Sequence, residues 1–493
     1  MSNPGGRGSP PEFYAFFQFR AAQARQFSEI LKQAFTECAL SCIILNTIRE
    51  FGALQRRRRE RKGRRMEQKK PGRIRLGRDF VMVLIGQIIS MFGSAVIRFA
   101  LPVYILELTD SSGVFGVVSS LSVIPTIVFS LVGGVLADRV NKRNIMVGLD
   151  FFTALLIFVL SLVFHVAPQV PLICITLMAL SGIAATYEPA VLASIPLLVG
   201  EDGIMTGNAL VNQVHMLASI LGPAIGGILY AALGIRSLLW IGGGCFFASA
   251  VMEIFIRIPF TRRKAGKSVF HIVRDDMHES LHYMLHEQRI LFQGSALLAL
   301  FNLFLASLIV ISLPVIVTQN WGLDESKLGY VQAVLAFGGI TGGVISTFFG
   351  RHFSIRKSHL LLAVCSCFVA LEGAALLLPL SVSTEYAILM VMCFLAMLFA
   401  TMFNIEMMSF AQSITDKNLL GKVMATVSAL VSCMSPLGQL MYGFIFQITP
   451  RLHGAVFLAV AGIAWLLCAF ARRFLSGVKD EELAKKDASY AVK

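Results

Sequence analysis

Ionisable residues are few inside the long apolar stretches of the chain, and Arg98, Glu188 and Glu406 are among them. Because a charged side chain is costly in a membrane interior, such residues mark a binding site or an ion pathway by default. A buried carboxyl group can take up and release a proton, so Glu188 and Glu406 are the two candidate proton carriers. Arg98 is a candidate for contacting an anionic substrate group or an acidic side chain. The alternative for Arg98 is an arginine that reaches out to the membrane interface.

Uncharged or weakly basic polar residues in similar stretches are candidates for lining a cavity. They are Gln87, Asn212, Gln213, His215 and Asn302. Hydrogen bonding between helices is the alternative for each of them. Glu253 and Arg257 lie one helical turn apart, and we expect them to form an interfacial pair whose charged ends reach water.

Membrane-spanning helices must position these residues. The 493-residue chain is 56% hydrophobic and only 15% charged, and its mean hydropathy is +0.72. Soluble proteins carry about a quarter charged residues. Apolar runs recur at the length of about 20 residues that a helix needs to cross a bilayer. We therefore predict an all-α integral membrane protein with about twelve transmembrane helices.

The apolar runs also set the predicted domain organisation. The predicted spans lie near 79–106, 112–137, 145–165, 169–193, 207–231, 236–257, 290–317, 327–350, 358–380, 385–411, 421–447 and 452–475. The predicted parts are a partly disordered N-terminal extension (1–78), a first half (79–257), a central loop with an amphipathic helix (258–289), a second half (290–475) and a tail (476–493).

Basic residues are concentrated in a run at Arg56–Arg65 and in the short loops between spans, and they account for a net charge of +14. An excess of Lys and Arg marks the cytoplasmic side of a membrane protein and attracts anionic lipid headgroups. We therefore expect both termini and the central loop in the cytoplasm, membrane lipids as partners, and no nucleic-acid partner. Met66 precedes a short basic leader typical of a start site, so we hypothesise that residues 1–65 are dispensable.

A short polar turn at 133–144 connects the second and third predicted spans. Its glycines favour close helix packing, and its charges suit a loop that changes contacts between two conformations. The alternative is an ordinary loop kept cytoplasmic by its basic residues. The candidate gating residues are Gly134, Asp138, Arg139, Lys142, Arg143 and Asp150. Asp150 is expected to anchor the loop.

Short strings of residues recur one half-chain later. Leu101-Pro102-Val103 returns as Leu313-Pro314-Val315, and Gly133-Gly134-Val135 returns as Gly342-Gly343-Val344. Pro223 likewise matches Pro436. The repeat predicts two pseudo-symmetric halves of six helices each, which is the arrangement of many secondary transporters.

The turn at 133–143 resembles the signature loop of the major facilitator superfamily: a glycine, then Asp138-Arg139, then paired basic residues. Ala100-Leu101-Pro102, Ser194-Ile195-Pro196 and Gly207-Asn208-Ala209 resemble its branch of macrolide-efflux proteins and enterobactin exporters. The resemblance covers roughly 75–475 and implies a multi-pass transporter of the bacterial plasma membrane. The turn at 350–357 lacks an acid equivalent to Asp138, so only the first half is expected to carry the full charged loop.

A glycine-proline string in the fifth predicted span resembles the motif of antiporters in this superfamily. Its residues are Gly222, Pro223, Gly226 and Gly227. Proline removes a backbone donor and glycine removes a side chain, so the string predicts a bent, closely packed helix. The resemblance implies a bend that prevents proton leakage; tight packing alone is the alternative.

The sequence contains no phosphate-binding loop of the Gly-x-x-x-x-Gly-Lys-Ser/Thr type, no zinc-ligand spacing and no nucleophile–base pair. We expect neither enzymatic activity nor a cofactor or metal. The leading hypothesis is a monomeric, proton-coupled exporter of small amphipathic molecules of drug, macrolide or siderophore type. The alternatives are a lipid or lysolipid flippase of the same fold and a membrane scaffold or sensor without transport activity.

Overall fold

The structure is a computed structural model that describes residues 77–164, 168–200, 203–259, 269–349, 355–416, 418–450 and 452–475. The predicted N-terminal extension up to residue 76, the tail and part of the central loop lie outside these residues. All regular elements of the described residues are helices.

The described residues form twelve main helices. They are α1 (Arg78–Thr109), α2 (Ser112–Arg139), α3 (Lys142–Val163), α4 (Gln169–Val199), α5 (Ile204–Ile254), α6 (Val269–His282), α7 (Arg289–Asn320), α8 (Glu325–Phe349), α9 (Ser358–Ala375), α10 (Val382–Ile414), α11 (Leu420–Ile448) and α12 (His453–Leu475). Eleven helices of the described residues are long and apolar enough to cross a membrane. The exception is α6, which follows the central loop.

The longest helix, α5, makes two crossings. Its 51 residues would extend about 75 Å at 1.5 Å per residue, against a bilayer core of about 30 Å. The two arms join at Gly234, where φ is 70° and ψ is 169°. A side chain at this positive φ would be strained, so glycine suits the turn. Counted this way, the described helices cross the membrane twelve times, and the predicted all-α membrane fold is confirmed.

Helix α7 departs from the regular helix that its apolar run predicts. It contains wider π turns at Asn302–Ala306 and Val315–Asn320. A π turn frees a backbone carbonyl, and the carbonyl of Phe304 accepts a hydrogen bond of 2.8 Å from the Tyr442 hydroxyl. The turn therefore ties α7 to α11 inside the second half.

Consecutive crossings alternate in direction, so the connections fall at two ends of the helix bundle. The end that carries the start of α1 and the α2–α3 turn is here named the basic end, because Lys142, Arg143, Arg356, Lys357 and Lys422 lie there. The other end, here named the opposite end, carries the α1–α2 turn and the start of α8, with Glu107, Asp110, Asp324 and Glu325.

Glycines pack the helices of the two halves in equivalent ways. A Cβ atom at Gly133 of α2 would lie 2.7 Å from the carbonyl oxygen of Ala185 in α4, and the matching Gly342 of α8 meets Leu398 of α10. The sequence repeat therefore corresponds to a repeat of helix packing. Each half encloses its own apolar core, which fixes the positions of the polar residues described next.

Candidate functional site

A cavity of about 560 Å³ lies in the middle of the bundle. Helices α1 to α5 of the first half supply nearly all of its wall, and Gln332 of α8 is the contribution of the second half. Met91, Phe99, Phe246 and several aliphatic residues make much of the wall apolar. The volume is in the range of about 300–1,000 Å³ that small-molecule sites occupy.

Arg98 of α1 lies in the cavity wall, where hydrogen bonds hold its charged side chain in place. Its guanidinium group donates to the Ser94 hydroxyl at 3.2 Å, the Ser181 hydroxyl at 3.1 Å and the Leu180 carbonyl oxygen at 2.7 Å. These contacts tie α1 to α4 and hold the side chain inside the bundle. The alternative of an arginine that reaches out to the interface is therefore wrong.

Glu188 of α4 and His215 of α5 face each other on the same wall, with 4.0 Å between the carboxylate oxygen and the imidazole Nδ1. They form an ion pair when the imidazole is protonated. Their side chains are 58% and 32% exposed, respectively, so both are accessible to a molecule in the cavity. The structure thus places two predicted residues together with Arg98 and the buried Gln87 around one space.

A second group of acids lies beside this wall. Asp150 of α3 is 2% exposed and borders the cavity, and Glu253 of α5 is fully buried behind it. The Tyr187 hydroxyl donates to a Glu253 carboxylate oxygen at 2.6 Å. The expectation that Glu253 and Arg257 form an interfacial pair is therefore wrong, because Arg257 is exposed while Glu253 faces the bundle interior.

Glu253 is the functional candidate that sequence reasoning missed. Its position near the end of an apolar stretch, with an arginine four residues later, is typical of an interfacial residue. A signal was nevertheless present: Gly86 and Ser249 are small, and they allow α1 and α5 to approach closely, with the Ser249 hydroxyl donating to the Gly86 carbonyl oxygen at 3.0 Å. This close approach encloses the carboxyl group.

The two halves meet at the opposite end through four glycines, here named the glycine seam: Gly116, Gly227, Gly329 and Gly443. A Cβ atom at Gly116 would lie 2.6 Å from the Cα atom of Gly443, and one at Gly329 would lie 2.5 Å from the carbonyl oxygen of Pro223. Gln447 of α11 reinforces the seam by accepting hydrogen bonds from Ser111 and from the amide of Gly113 at 2.9 and 3.0 Å. The cavity lies on the basic side of this contact.

The glycine-proline string belongs partly to this seam. Gly222 and Gly226 lie against α1, whereas Gly227 lies against Glu325 of α8. The backbone stays helical through Pro223, and the break in α5 falls at Gly234. Pro223 itself lines the cavity. The role of the string in antiport stays a prediction.

Several predicted residues do not reach the cavity. Glu406 is 4% exposed within α10 of the second half, and it does not line this space. Asn212 and Gln213 are exposed on α5. Asn302 donates to the Leu298 carbonyl oxygen of its own helix at 3.2 Å. Apolar helices have polar residues on several faces, and only packing decides which face encloses a cavity.

Only some residues of the predicted gating loop lie within the described part of the chain. The side chains of 134–139, including Gly134, Asp138 and Arg139, lie outside the described residues. Asn141 begins α3 by accepting a hydrogen bond from the amide of Arg143 at 3.1 Å, and the Arg143 guanidinium donates to the Ile254 carbonyl oxygen at the end of α5. Lys142 is partly buried. Asp150 borders the cavity, and its expected role as the anchor of the loop stays a prediction.

Comparisons with known proteins agree with this architecture. Residues 83–439 match the model of the Major Facilitator Superfamily. The chain is 24% identical to the multidrug efflux pump Tap of Mycolicibacterium fortuitum over 82% of this chain and 98% of that protein. It is 26% identical to macrolide efflux protein A of Streptococcus pyogenes over 73% of this chain and 88% of that protein.

A solved structure shows the same fold. The crystal structure of the nucleoside transporter NupG aligns with a TM-score of 0.64 at 13% identity, over 82% of this chain and 100% of that one. The match to the family model spans well over half of the sequence. With twelve crossings among its described residues and with repeated halves, the chain belongs to the major facilitator superfamily of membrane transporters, and its curated relatives include efflux pumps.

Proposed function

We propose that the protein is a proton-coupled exporter of small amphipathic molecules that works by alternating access. The observation that carries this proposal is the central cavity, in which apolar side chains surround Arg98, Glu188 and His215. An apolar wall with a few charged groups suits molecules that are mostly apolar but carry a charge or several polar groups. The efflux relatives support export as the direction of transport.

The glycine seam supports alternating access. It joins α2 to α11 and α5 to α8 at the opposite end, while the cavity lies on the basic side of the seam. Lys and Arg mark the cytoplasmic side, so we assign the basic end to the cytoplasm and the cell membrane of a bacterium as the location. In this assignment the structure is the state that faces the cytoplasm, and rocking of the halves would open the seam.

Transport by inverted membrane vesicles tests the proposal. Vesicles that contain the full chain are energised to acidify their interior, and uptake of ethidium and radiolabelled erythromycin is measured. We expect uptake above that of vesicles without the protein, and we expect a protonophore to abolish the difference. Uptake that persists after the proton gradient has collapsed would exclude proton coupling, and absence of uptake for both probes would count against multidrug export.

A further inference from the structure

Asp150 and Glu253 form a buried acidic pair whose surroundings come from four crossings. Gly86 and Gln87 lie on α1, Asp150 on α3, Tyr187 on α4, and Ser249 and Glu253 on the second arm of α5. Tyr187 connects the two acids, because its hydroxyl bonds Glu253 and it lines the same cavity as Asp150. Two ionised carboxylates in an apolar interior repel each other strongly unless a cation or a proton is present.

The described cations do not neutralise the pair. Arg143, the nearest basic residue along α3, donates to the Ile254 carbonyl oxygen and forms no described ion pair with either carboxyl group. Arg98 is held by Ser94, Ser181 and Leu180. On the cavity side, the imidazole of His215 faces the Glu188 carboxylate at 4.0 Å. Within the described residues, the pair therefore lacks a basic partner.

Hydrogen-bond donors are also too few. Tyr187 donates its one proton to Glu253, and Ser249 donates its one proton to Gly86. One carboxyl oxygen of Asp150, one of Glu253 and the side-chain oxygen of Gln87 have no partner among the described residues, although Gln87 is only 1% exposed. Three buried acceptors without a donor are costly to leave unpaired. A bound proton supplies one donor and removes one charge.

Ser249 lies beside the pair and has one hydroxyl proton, which it donates to the Gly86 carbonyl oxygen at 3.0 Å. The same proton cannot serve a neighbouring carboxylate at the same time. A protonated carboxyl group would instead donate to the Ser249 oxygen, whereas an ionised one would compete with Gly86 for its proton.

We propose that Asp150 and Glu253 together hold one exchangeable proton and that this proton is the coupling ion. The proposal rests on the proposed function and adds that proton and cargo bind at separate places in the first half. Asp150 gives the proton access from the cavity, because it borders that space. Tyr187 bonds to Glu253, and the next residue, Glu188, faces the cavity. Helix α4 therefore connects the proton site to the cargo wall.

Infrared spectroscopy tests the proton site without a substrate. The full chain in lipid vesicles is cycled between acidic and alkaline buffer, and the carbonyl stretch of protonated carboxyl groups is recorded. We expect this pH-dependent band to contain a component that is reduced in Asp150→Asn and in Glu253→Gln and is absent from the double variant, while the signal of the other carboxyl groups remains. Glu372→Gln is the matched control, because Glu372 is also buried, at 5% exposed, but lies in α9 away from the cavity. A band unchanged in the double variant would overturn the proposal.

Ethidium transport in proteoliposomes tests the coupling. In the double variant Asp150→Asn/Glu253→Gln, we expect ethidium accumulation driven by a pH gradient to fall at least tenfold. Ethidium exchange with the same pH on both sides of the membrane should be kept. Glu372→Gln should keep both activities. Gradient-driven accumulation that survives in the double variant would overturn the site while the proposed function stands. The infrared band could be present in a protein whose ethidium transport does not depend on the pH gradient. That result would overturn the coupling role and the proton-coupled function, but not proton binding itself.

Discussion

Gly116 of α2 and Gly443 of α11 meet backbone to backbone across the two halves of the molecule. A Cβ atom added to Gly443 would lie 2.7 Å from the Cα atom of Gly116, which is closer than side-chain atoms approach a neighbouring backbone. In the other pair of the seam, Gly227 meets Glu325 and Gly329 of α8. The seam therefore contains two related contacts, each closed by the absence of a side chain.

Gly443→Ala should weaken closure of the seam. The added methyl group must displace α2, and overpacking of this kind costs about 1–3 kcal/mol, which would reduce occupancy of the closed seam about fivefold or more. Distances between spin labels at Leu108 and Leu380, both exposed at the opposite end, would report the opening as a shift towards longer values.

Gly421→Ala is the control for this experiment. It lies on the same helix, but a Cβ atom there would have no neighbour within 4 Å. The label distances should therefore match those of the unsubstituted protein. Equal distances in Gly443→Ala and Gly421→Ala would show that the seam does not depend on close backbone contact.

Arg98→Lys should destabilise the protein even though the charge is kept. Lysine cannot reproduce the planar guanidinium that bonds Ser181 and Leu180 of α4 at the same time. We expect a loss of about 1–3 kcal/mol in the free energy of unfolding, measured by thermal unfolding in detergent. Ser181→Ala removes one of these bonds and should cost less. A larger effect for Ser181→Ala than for Arg98→Lys would contradict this account.

Glu188→Gln should weaken binding of ethidium, a cationic probe, by no more than about fivefold, because partly exposed ion pairs contribute about 0–1 kcal/mol. His215→Gln should tighten binding, since it removes the imidazole that lies 4.0 Å from the carboxylate and competes with the probe for it. Titration of ethidium fluorescence with the purified single and double variants measures both effects. Strictly additive effects at acidic pH would show that the two side chains do not interact.

Lys422→Gln should release α6 from α11. The Lys422 ammonium group contacts Asp276 at 2.8 Å and Glu279 at 2.7 Å, and both acids lie on α6. We expect faster hydrogen exchange in α6 with little change in the exchange of α11, because these contacts are exposed. Lys422→Arg keeps the charge and should preserve protection. If α6 stays equally protected in Lys422→Gln, apolar contacts rather than this ion pair hold the helix.

The membrane fold was predictable because each crossing is a local property of the chain. A run of apolar residues long enough to cross a bilayer must form a helix, since the backbone has no other way to satisfy its hydrogen bonds in lipid. The repeat of Pro102 as Pro314 and of Gly133 as Gly342 was likewise visible in one dimension. The π turn at Asn302–Ala306 was not predictable from the apolar pattern, because it accompanies a contact with a distant helix, the bond from Tyr442 of α11 to the Phe304 carbonyl.

The candidate site was predictable only in part. Arg98, Glu188 and Gln87 could be selected because polar groups inside apolar stretches are rare, and all three line the cavity. Glu406 and Gln213 satisfied the same criterion and do not line it. A helix presents its polar residues in every direction, and the direction that encloses a cavity depends on neighbours distant in sequence.

The sequence by itself determined that the chain crosses the membrane, how many times it does so, and that its halves repeat, because these depend on local hydrophobicity and spacing. Tertiary structure alone decided that Gly116 meets Gly443 and that Glu253 is enclosed with Asp150. Both outcomes arise from contacts between helices far apart in the chain. The glycines of the seam and Gly86 have no side chain, so neighbouring helices can approach closely at these positions. This close approach determines which polar atoms are buried together.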